Sequence, residues 1–349
     1  MISFTICSNN YLAEAITLGN SLVANNCEPA SFIIFLVDKK SKEIDYSSIP
    51  FKVVPITELV VPSFTDICSY YDIVELNTAV KPSVFKYLFN QYSTEILFAY
   101  LDPDLYFLQN IEGSVKQEIG NSSILLTPHL LKPACLNIIP FENTFLNYGI
   151  YNLGFIALKA DANSLELLNW WEERTLKLGV DNVKDGFFVD QLWLNLAPIF
   201  FKNVKVSLNP GLNAAYWNLN EREIKDINDV LYVNNTSQLI FFHFSSFDMS
   251  LEKISKRRYS NPIWDTRSIK KIMETYKEQL ETNNYSFYKK IAPYYSITSE
   301  NLIKRRFSEQ MDRKKVLRIQ KIARYVPERI INKFLNLAHI LSVLKEEKI

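Results

Sequence analysis

Cysteine and glycine are scarce in this 349-residue sequence, and each shortage excludes a class of protein. The cysteines form no CxxC pair and no dense framework, which argues against a structural zinc site or a disulfide scaffold and favours a reducing compartment. Only 8 residues are glycine, which argues against long flexible linkers. We expect the four cysteines to be ordinary packing residues: Cys7, Cys27, Cys68 and Cys135.

Long apolar runs are also missing. No window reaches the roughly 18 uncharged apolar residues that a membrane-spanning helix needs. The opening "MISFTICSNN" has no basic stretch followed by a long apolar segment, so we expect a cytoplasmic protein. Core-forming residues are abundant instead: 48% of the chain is hydrophobic and 13% is aromatic, which is ample for a large globular domain.

Neither sign of charge dominates, with 39 basic against 38 acidic residues, so nucleic-acid binding is not expected as the main role. The distribution is uneven, because residues 301–349 hold 13 basic and 5 acidic residues, a net of +8, and leave residues 1–300 at −7. This basic and helically patterned tail can lie on the anionic inner face of the cell membrane. It can equally pack on the rest of the protein or on another subunit of an oligomer.

Short β-branched and aromatic runs alternate with helical periodicity over most of the chain, which predicts an α/β domain. Strands are predicted in "ISFTIC", "SFIIFLVD", "FKVVPI", "EILFAYLD", "SSILLTP", "YNLGFIALK" and "QLIFFHFSS", and helices in "YLAEAITLGNSLVANN", "AVKPSVFKYLFNQY", "NSLELLNWWEERTLKLG" and "VDQLWLNLAPIF". The nearly continuous apolar strands are typical of a mostly parallel sheet covered on both faces. Strand signals end near residue 264, so we predict an α/β domain at 1–262 and a helical extension at 263–349.

Two aspartates interrupt the apolar run "FAYLDPDLYFLQNI", where an unpaired buried charge would be costly. Asp-Pro-Asp is typical of a strand-ending turn. Asp102 and Asp104 also follow the carboxyl end of a predicted buried strand, the edge at which open α/β sheets bind ligands. Their spacing lets both carboxylates reach one hard divalent cation, which could stabilise the charge on a leaving nucleotide diphosphate.

At this point the sequence resembles the glycogenin-like, family-8 type of glycosyltransferases, which have the GT-A fold and a metal-binding D-x-D. The resemblance spans roughly residues 5 to 250 and rests on several short matches in the same order. The segment "CSNNYLAEAITLGNSL" is similar to that family's opening loop and helix. The resemblance implies that Asn9 and Tyr11, with Ser8 beside them, contact the nucleotide, and that Tyr11 stacks on the base.

Further matches extend the implied donor site. "FKYLFNQYSTEILFAYLDPDLYFLQNIE" has a lysine at the family's distance before the D-x-D, which implies that Lys86 contacts the donor phosphate or sugar. Lys81 is a second candidate. "YNLGFIALK" resembles the family's Phe-Asn-x-Gly strand and implies that Asn152 and Gly154 lie near the donor sugar, where a glycine allows close backbone approach.

The remaining matches imply the catalytic side chains and the third metal ligand. "FVDQLWLN" resembles the family's Asp-Gln helix start, which implies that Asp190 and Gln191 face the reacting sugar. "LIFFHFSSF" resembles the strand whose histidine binds the metal, so His243 is the expected third ligand beside Asp102 and Asp104. Two carboxylates and one imidazole suit Mn²⁺, with Mg²⁺ as the alternative.

The sequence departs from the family after this histidine. Ser246 stands where the family has glycine, and the family's Lys-Pro-Trp is absent from "HFSSFDMSLEKISKRR". Lys253 or Lys256 can take over the phosphate contact of that lysine. The loop "LNPGLNAAYWNL" offers Asn213, Tyr216 and Trp217 as sugar or acceptor contacts.

The sequence thus predicts a metal-dependent glycosyltransferase that moves a sugar from a nucleotide-diphosphate sugar to a glycan, lipid-linked or protein acceptor, with retention of configuration. Two alternatives stay open. One is a non-catalytic binding or assembly module of GT-A-like shape. The other is a sugar nucleotidyltransferase, although "CSNNYLAEA" lacks the glycine-rich phosphate loop that such enzymes use.

Overall fold

The computed structural model describes residues 1–136, 139–257 and 267–295, and the basic segment 301–349 lies outside this part of the chain. The described strands are β1 Ile2–Cys7, β2 Phe32–Leu36, β3 Lys52–Pro55, β4 Leu97–Leu101, β5 Leu105–Phe107, β6 Ile124–Pro128, β7 Tyr151–Lys159, β8 Asp181–Asn182, β9 Phe187–Phe188, β10 Val204–Val206, β11 Ala214–Ala215, β12 Ile224–Ile227, β13 Val230–Val233, β14 Ser237–Gln238 and β15 Phe241–His243. The α-helices are α1 Leu12–Ala24, α2 Phe64–Tyr70, α3 Ile73–Ala79, α4 Lys81–Gln91, α5 Ile111–Ile119, α6 Glu142–Tyr148, α7 Ala162–Leu178, α8 Ala197–Phe200, α9 Arg267–Thr282 and α10 Tyr285–Tyr288. Within the described residues, no helix is both long and apolar enough to span a bilayer.

The central sheet has seven strands in the order β10-β6-β7-β4-β1-β2-β3. All of its strands are parallel except β7, which runs antiparallel to both β4 and β6. The predicted fold class, a mixed and mostly parallel central sheet flanked by helices, is confirmed. Every residue of β1, β2 and β4 is buried, as expected for strands covered on both faces.

Alternate residues of each central strand enter two different cores, because side chains alternate between the faces of a sheet. In β4, Phe98 and Tyr100 join the cluster covered by α3, α4 and α7. Leu97, Ala99 and Leu101 join the cluster covered by α1 and α5. This alternation continues past the strand and directs Asp102 toward the same side as Tyr100.

A second sheet, of order β11-β15-β5, meets the central sheet at the aspartates. β4 belongs to the central sheet and β5 to the second one, and the three residues between them are Asp102, Pro103 and Asp104. A smaller sheet is formed by β12, β13 and β14, and β8 pairs with β9. The junction of the two main sheets therefore coincides with the D-x-D sequence.

One predicted helix is wrong in form. "VDQLWLNLAPIF" is not continuous, because a 3-10 turn at Leu192–Leu196 is followed by the one-turn helix α8. Pro198 lies in the first turn of α8, where a backbone N–H has no partner within the helix and the lack of one costs nothing. A proline further inside a helix would break it, so α8 cannot continue a helix that began earlier. Asp190 is consequently not a helix cap.

The described part of the C-terminal segment packs against the α/β part of the chain. Helix α9 buries an apolar stripe in the cluster that contains Phe242 and Phe244: Ile269, Ile272, Met273, Tyr276 and Leu280. Tyr276 stacks face to face on Phe244, with 3.9 Å between the ring centres. The predicted boundary after residue 262 remains a prediction, but α9 and α10 share a core with the sheets.

Candidate metal centre

Asp102 and Asp104 belong to the tight turn that connects β4 to β5. The backbone N–H of Leu105 donates to the Asp102 carbonyl over 3.1 Å, which closes the turn. The N–H of Asp102 donates to the Gly154 carbonyl on β7 over 2.7 Å. Both carboxylates are partly exposed, at 29% and 20% of the side chain. The turn thus presents two acids at the carboxyl end of a buried strand, as the sequence predicts.

His243 reaches the two acids through strand register. β15 pairs antiparallel with β5, and His243 lies directly opposite Leu105, the residue after Asp104. Its Nε2 atom is 3.1 Å from Asp104 Oδ1 and 3.7 Å from Asp102 Oδ2. One ligand atom from each of the three residues lies within 4.8 Å of the other two. The structure therefore brings together the three predicted metal ligands.

The other nitrogen of the His243 ring has a fixed partner. Nδ1 donates to Asn213 Oδ1 over 3.2 Å, which leaves Nε2 free to face the carboxylates. Asn213 adopts the left-handed conformation at φ 58°, and its amide also donates to Asn152 Oδ1. The Trp217 ring stands against His243 with 5.1 Å between centres. The imidazole is thus held in both tautomer and orientation.

Gly154 leaves the space that the three ligands occupy. A Cβ at this position would lie 2.5 Å from His243 Cε1 and 2.8 Å from Asp102 Oδ2. The neighbouring Asn152 accepts from the Gly154 N–H and donates to His129 Nε2 over 3.2 Å. Burial lowers the pKa of His129 to about 3, which keeps that ring neutral and able to accept. Asn152 and Gly154 therefore border the candidate metal site, and their place near the donor sugar stays a prediction.

The charges of the three ligands depend on one another. Burial raises the pKa of Asp102, although Lys81 opposes this. Burial also acts to raise the pKa of Asp104, but the facing His243 outweighs burial and lowers it. Burial acts to lower the pKa of His243, yet Asp104 and Asp102 outweigh it and raise the pKa. The proton that this arrangement favours on His243 is the one a cation would displace, since metal ligands bind deprotonated.

These residues fit a divalent cation by their chemistry and their surroundings. Two carboxylates and one imidazole form a donor set suited to Mn²⁺ or Mg²⁺. The hydrogen bond from His243 to Asn213 is the support that metal-bound imidazoles ordinarily have. Tyr100 donates to Asp102 Oδ1 over 2.6 Å and orients that carboxylate in the same way.

Lys81 is the buried cation nearest to this turn among the lysines predicted from the sequence. It is 1% exposed, and its Nζ lies 2.5 Å from Asp190 Oδ2. It also donates to the Leu153 carbonyl and lies 3.9 Å from the centre of the Tyr100 ring. Burial raises the pKa of Asp190, although Lys81 acts against this. Lys81 thus connects Asp190 to both β4 and β7.

Lys86 pairs with an acidic side chain, and its predicted contact with the donor stays a prediction. Its Nζ pairs with Glu172 Oε2 on α7 at 2.7 Å, and Ser83 donates to the other oxygen of the same carboxylate. Lys86 is 30% exposed at this pair. Of the two lysines, Lys81 is the one whose charge acts on Asp102, beside the charges of Asp104 and His243. The second lysine candidate therefore influences a predicted metal ligand, and a donor contact of either lysine stays a prediction.

Gln191 ties two segments of the site together. Its side-chain oxygen accepts from the Leu153 N–H on β7, and its amide donates to the Tyr148 carbonyl at the end of α6. Gln191 and Asp190 are both buried, at 8% and 2% exposure. The two residues consequently fix the same residue of β7. Gln191 binds the Leu153 N–H, and Asp190 pairs with Lys81, which binds the Leu153 carbonyl.

The three predicted nucleotide contacts differ in their surroundings. Ser8 is buried and accepts from Asn77. Asn9 is buried too, with its backbone N–H bound to Asp38 and its amide oxygen accepting from Tyr46. These bonds shape the loop after β1. Tyr11 differs, because it is 41% exposed.

Tyr11 lines a cavity of about 340 Å³ that also reaches Asp104. Lys256 and Ser246 contribute to its wall, so of the two lysines proposed to replace the family's phosphate contact, Lys256 borders this cavity. Lys289 lies over the Tyr11 ring, with its Nζ 3.4 Å from the ring centre. The cavity therefore places cationic and aromatic groups beside a candidate metal ligand.

Several residues of the site were not predicted from the sequence. Tyr100 could have been, because it lies two residues before Asp102 and shares its face of the strand. Glu14 and Lys289 form an ion pair at 2.6 Å across the cavity wall, and Glu14 is only 7% exposed. The acid in the apolar helix "YLAEAITLGNSL" was a signal of this pair.

No protein-family model matches the chain. It is similar to two uncharacterized proteins of Bacillus subtilis (strain 168). YfnF is 24% identical over 249 residues, which cover 70% of this chain and 80% of YfnF. YfnD is 24% identical over 280 residues, which cover 78% of this chain and 86% of YfnD.

Solved structures to which the chain is similar include two glycosyltransferases. The galactosyltransferase LgtC, in complex with donor and acceptor sugar analogs, is 13% identical, with 81% of this chain and 96% of LgtC covered and a TM-score of 0.44. The glycosyltransferase GlyE of Streptococcus pneumoniae TIGR4 is 14% identical, with 85% and 64% covered and a TM-score of 0.45.

Proposed function

We propose that this protein is a metal-dependent glycosyltransferase of the GT-A type, which moves a sugar from a nucleotide-diphosphate sugar to a glycan, lipid-linked or protein acceptor. The observation that supports this most directly is the grouping of Asp102, Asp104 and His243 at the carboxyl end of β4. A site of two acids and one imidazole at this edge of the sheet is suited to a cation that binds a diphosphate.

Each ligand residue has a defined task in this proposal. Asp102, Asp104 and His243 would hold Mn²⁺ or Mg²⁺, which supplies Lewis-acid stabilisation of the charge on the leaving diphosphate. Asn213 and Tyr100 keep the imidazole and one carboxylate in their binding orientations. The exposed Tyr11 offers its ring to the base of the nucleotide, on the face that Lys289 leaves uncovered.

Asp190 and Gln191 act as positioning residues for the donor sugar. Gln191 accepts from the Leu153 N–H of β7. Asp190 pairs with Lys81, which donates to the Leu153 carbonyl, next to Asn152 and Gly154. Misplacing this strand would move the sugar relative to the diphosphate, and a shift of about 1 Å can cost about 100-fold in rate. Retention of configuration, by same-face attack assisted by the leaving phosphate, remains a proposal, which proton NMR of the product tests directly.

A donor-hydrolysis screen tests the function itself. Purified full-length protein is incubated with Mn²⁺ and a panel of nucleotide sugars, and release of free nucleoside diphosphate is measured. The double variant Asp102→Asn with Asp104→Asn should lose turnover, because amides bind the cation far more weakly than carboxylates do. Asp229→Asn is the matched control, since Asp229 is 98% exposed.

The outcomes separate an enzyme from a binding module. Turnover of one or more donors by the wild type, and its loss in the double variant alone, supports the proposed enzyme. Equal turnover in the wild type and the double variant would place the chemistry elsewhere. The screen is repeated with cell extracts added as a source of acceptors. If the protein binds nucleotide with Mn²⁺ but turns over no donor under either condition, the non-catalytic module is favoured.

A further inference from the structure

A cavity beside the candidate metal centre contains polar groups that the proposed chemistry has not yet used. Its wall includes Tyr11, Glu14, Asp104, Lys256, Tyr276 and Lys289. These residues come from the 3-10 turn before α1, α1 itself, the β4–β5 turn, the segment after β15, α9 and the residue that follows α10. The C-terminal segment therefore builds part of the wall of a cavity that reaches a candidate metal ligand.

Lys289 has an unusual position for a lysine. Its Nζ lies 2.6 Å from Glu14 Oε1 and 3.4 Å from the centre of the Tyr11 ring, and its side chain is 25% exposed. An ammonium group has three N–H donors, and the contact with Glu14 Oε1 uses one of them. The flexible stem of lysine lets the remaining donors reach a ligand in the cavity without breaking this contact.

Two buried polar atoms of the same cavity have no protein partner in the part of the chain that the structure describes. They are Glu14 Oε2 and the hydroxyl of Tyr276. Buried polar groups are ordinarily hydrogen-bonded, so an orphaned pair that lines one cavity indicates a polar ligand. Of the two, the Tyr276 hydroxyl is the atom that can donate to an anion, whereas Glu14 Oε2 can only accept. Glu14 is 7% exposed and Tyr276 is 1% exposed, which makes bulk water a poor substitute.

The balance of charge indicates the kind of ligand. Glu14 and Asp104 alone would make the cavity acidic and repel an anion. Lys256 and Lys289 offset those two charges, and with a divalent cation on Asp104 the cavity becomes cationic overall. A cavity with two lysines, a cation site and an exposed aromatic ring fits a nucleoside diphosphate.

We propose that Lys289 binds the diphosphate of the donor, together with Lys256, and that Glu14 holds Lys289 in place for this contact. This inference rests on the proposed function. It assigns to the C-terminal segment the phosphate contact for which the sequence lacks the family's Lys-Pro-Trp. Residues beyond 262 are then part of the donor site and not only an appendage.

Calorimetric binding to the full-length protein tests this inference without any turnover. The probes are UDP, GDP and inorganic diphosphate, each with MnCl₂. For each diphosphate that the wild type binds, Lys289→Ala should lower the affinity by about tenfold, which is the usual effect of losing a hydrogen bond to a charged group. Lys290→Ala is the matched control, because Lys290 is the exposed neighbour of Lys289. The affinity of this variant for the same diphosphate should stay within about twofold of the wild type.

A second variant separates a direct contact from an indirect one. Lys289→Ala leaves the Glu14 carboxylate without its partner, and that charge alone could repel the diphosphate. The double variant Glu14→Gln with Lys289→Met removes both charges and avoids a buried unpaired acid. If Lys289 binds the diphosphate, the double variant stays weak. Wild-type affinity in the double variant would overturn the inference, because Lys289 would then act only by neutralising Glu14.

The failure of this inference differs from the failure of the proposed function. A wild type that binds none of the three probes with Mn²⁺ contradicts both. A wild type that binds one of them, with Lys289→Ala and the double variant binding it equally well, contradicts the role of Lys289 and leaves the glycosyltransferase proposal standing. Thermal unfolding of each variant shows whether it is folded. If Lys289→Ala does not fold, the binding measured with the charge-neutral double variant decides the question.

Discussion

Replacing Gly154 with alanine should disturb the metal centre while it adds only one methyl group. The new Cβ would lie 2.5 Å from His243 Cε1, 2.8 Å from Asn152 Oδ1 and 2.8 Å from Asp102 Oδ2. Two carbon atoms that are not bonded to each other are most stable about 3.5–4.0 Å apart, so the new methyl group would overlap its neighbours. None of these three atoms can retreat freely, because Asn213 holds both His243 and Asn152, and Tyr100 holds Asp102.

The size of the effect follows from what must move. Overpacking a well-packed interior by one methyl group costs about 1–3 kcal/mol, and the easiest relief is to turn His243 or Asp102 away. Either movement misplaces a metal ligand. If half of that strain, about 0.5–1.5 kcal/mol, is relieved at the expense of the bound cation, the affinity for Mn²⁺ falls by a factor of about 2–10, since about 1.4 kcal/mol corresponds to a factor of ten.

Electron paramagnetic resonance of free Mn²⁺, titrated with protein in the presence of the nucleoside diphosphate that the wild type binds, measures this affinity. Gly113→Ala is the control, because a Cβ there would lie 3.9 Å from its nearest neighbour and the residue is within α5. An unchanged Mn²⁺ affinity in Gly154→Ala would refute the reasoning. A lower melting temperature without a change in Mn²⁺ affinity would show that Gly154 serves only the packing of β7.

Four further predictions concern the residues around the site and its metal. Asn213→Ala should weaken Mn²⁺ binding by about 10–100-fold, because the orientation of His243 is lost, and the same resonance titration measures it. Lys81→Met should lower the free energy of unfolding by about 3–5 kcal/mol, because it leaves Asp190 buried without its partner. Lys86→Met should cost about 1 kcal/mol or less, since that pair is partly exposed, and equal losses in urea unfolding of the two variants would contradict this contrast. Removal of metal with EDTA should abolish donor hydrolysis, and added Mn²⁺ should restore it; activity that survives EDTA would exclude the metal-dependent reaction.

The strands and the three candidate metal ligands could be predicted because their signals are local. Continuous apolar runs gave β1, β2 and β4, and the aspartates follow the last of these directly. His243 ends such a run as well. Its pairing with β5 was not predicted, because β15 joins a second sheet that the sequence did not indicate. The sequence therefore located His243 at the end of a strand but not the sheet in which that strand pairs.

The choice between Lys81 and Lys86 shows what spacing cannot decide. The two residues are five positions apart on α4, and at about 100° per residue they point about 140° apart around the helix. Only one of them can face β4, and which one depends on how α4 packs against the sheet and α7. That packing is a property of the whole core. The ion pair of Glu14 and Lys289 also depends on how distant parts of the chain pack, because its two partners lie 275 positions apart in the sequence.

The structure also changes the relation between the two interpretations of Asp-Pro-Asp. The sequence offered a strand-ending turn or a metal site as alternatives, and the turn is present, closed by the Leu105 N–H on the Asp102 carbonyl. That turn is what carries the chain from β4 in one sheet to β5 in the other. Because β5 pairs with β15, the same change of sheet sets His243 opposite Leu105 and beside both acids. The turn therefore does not compete with the metal site but creates the geometry on which the site depends.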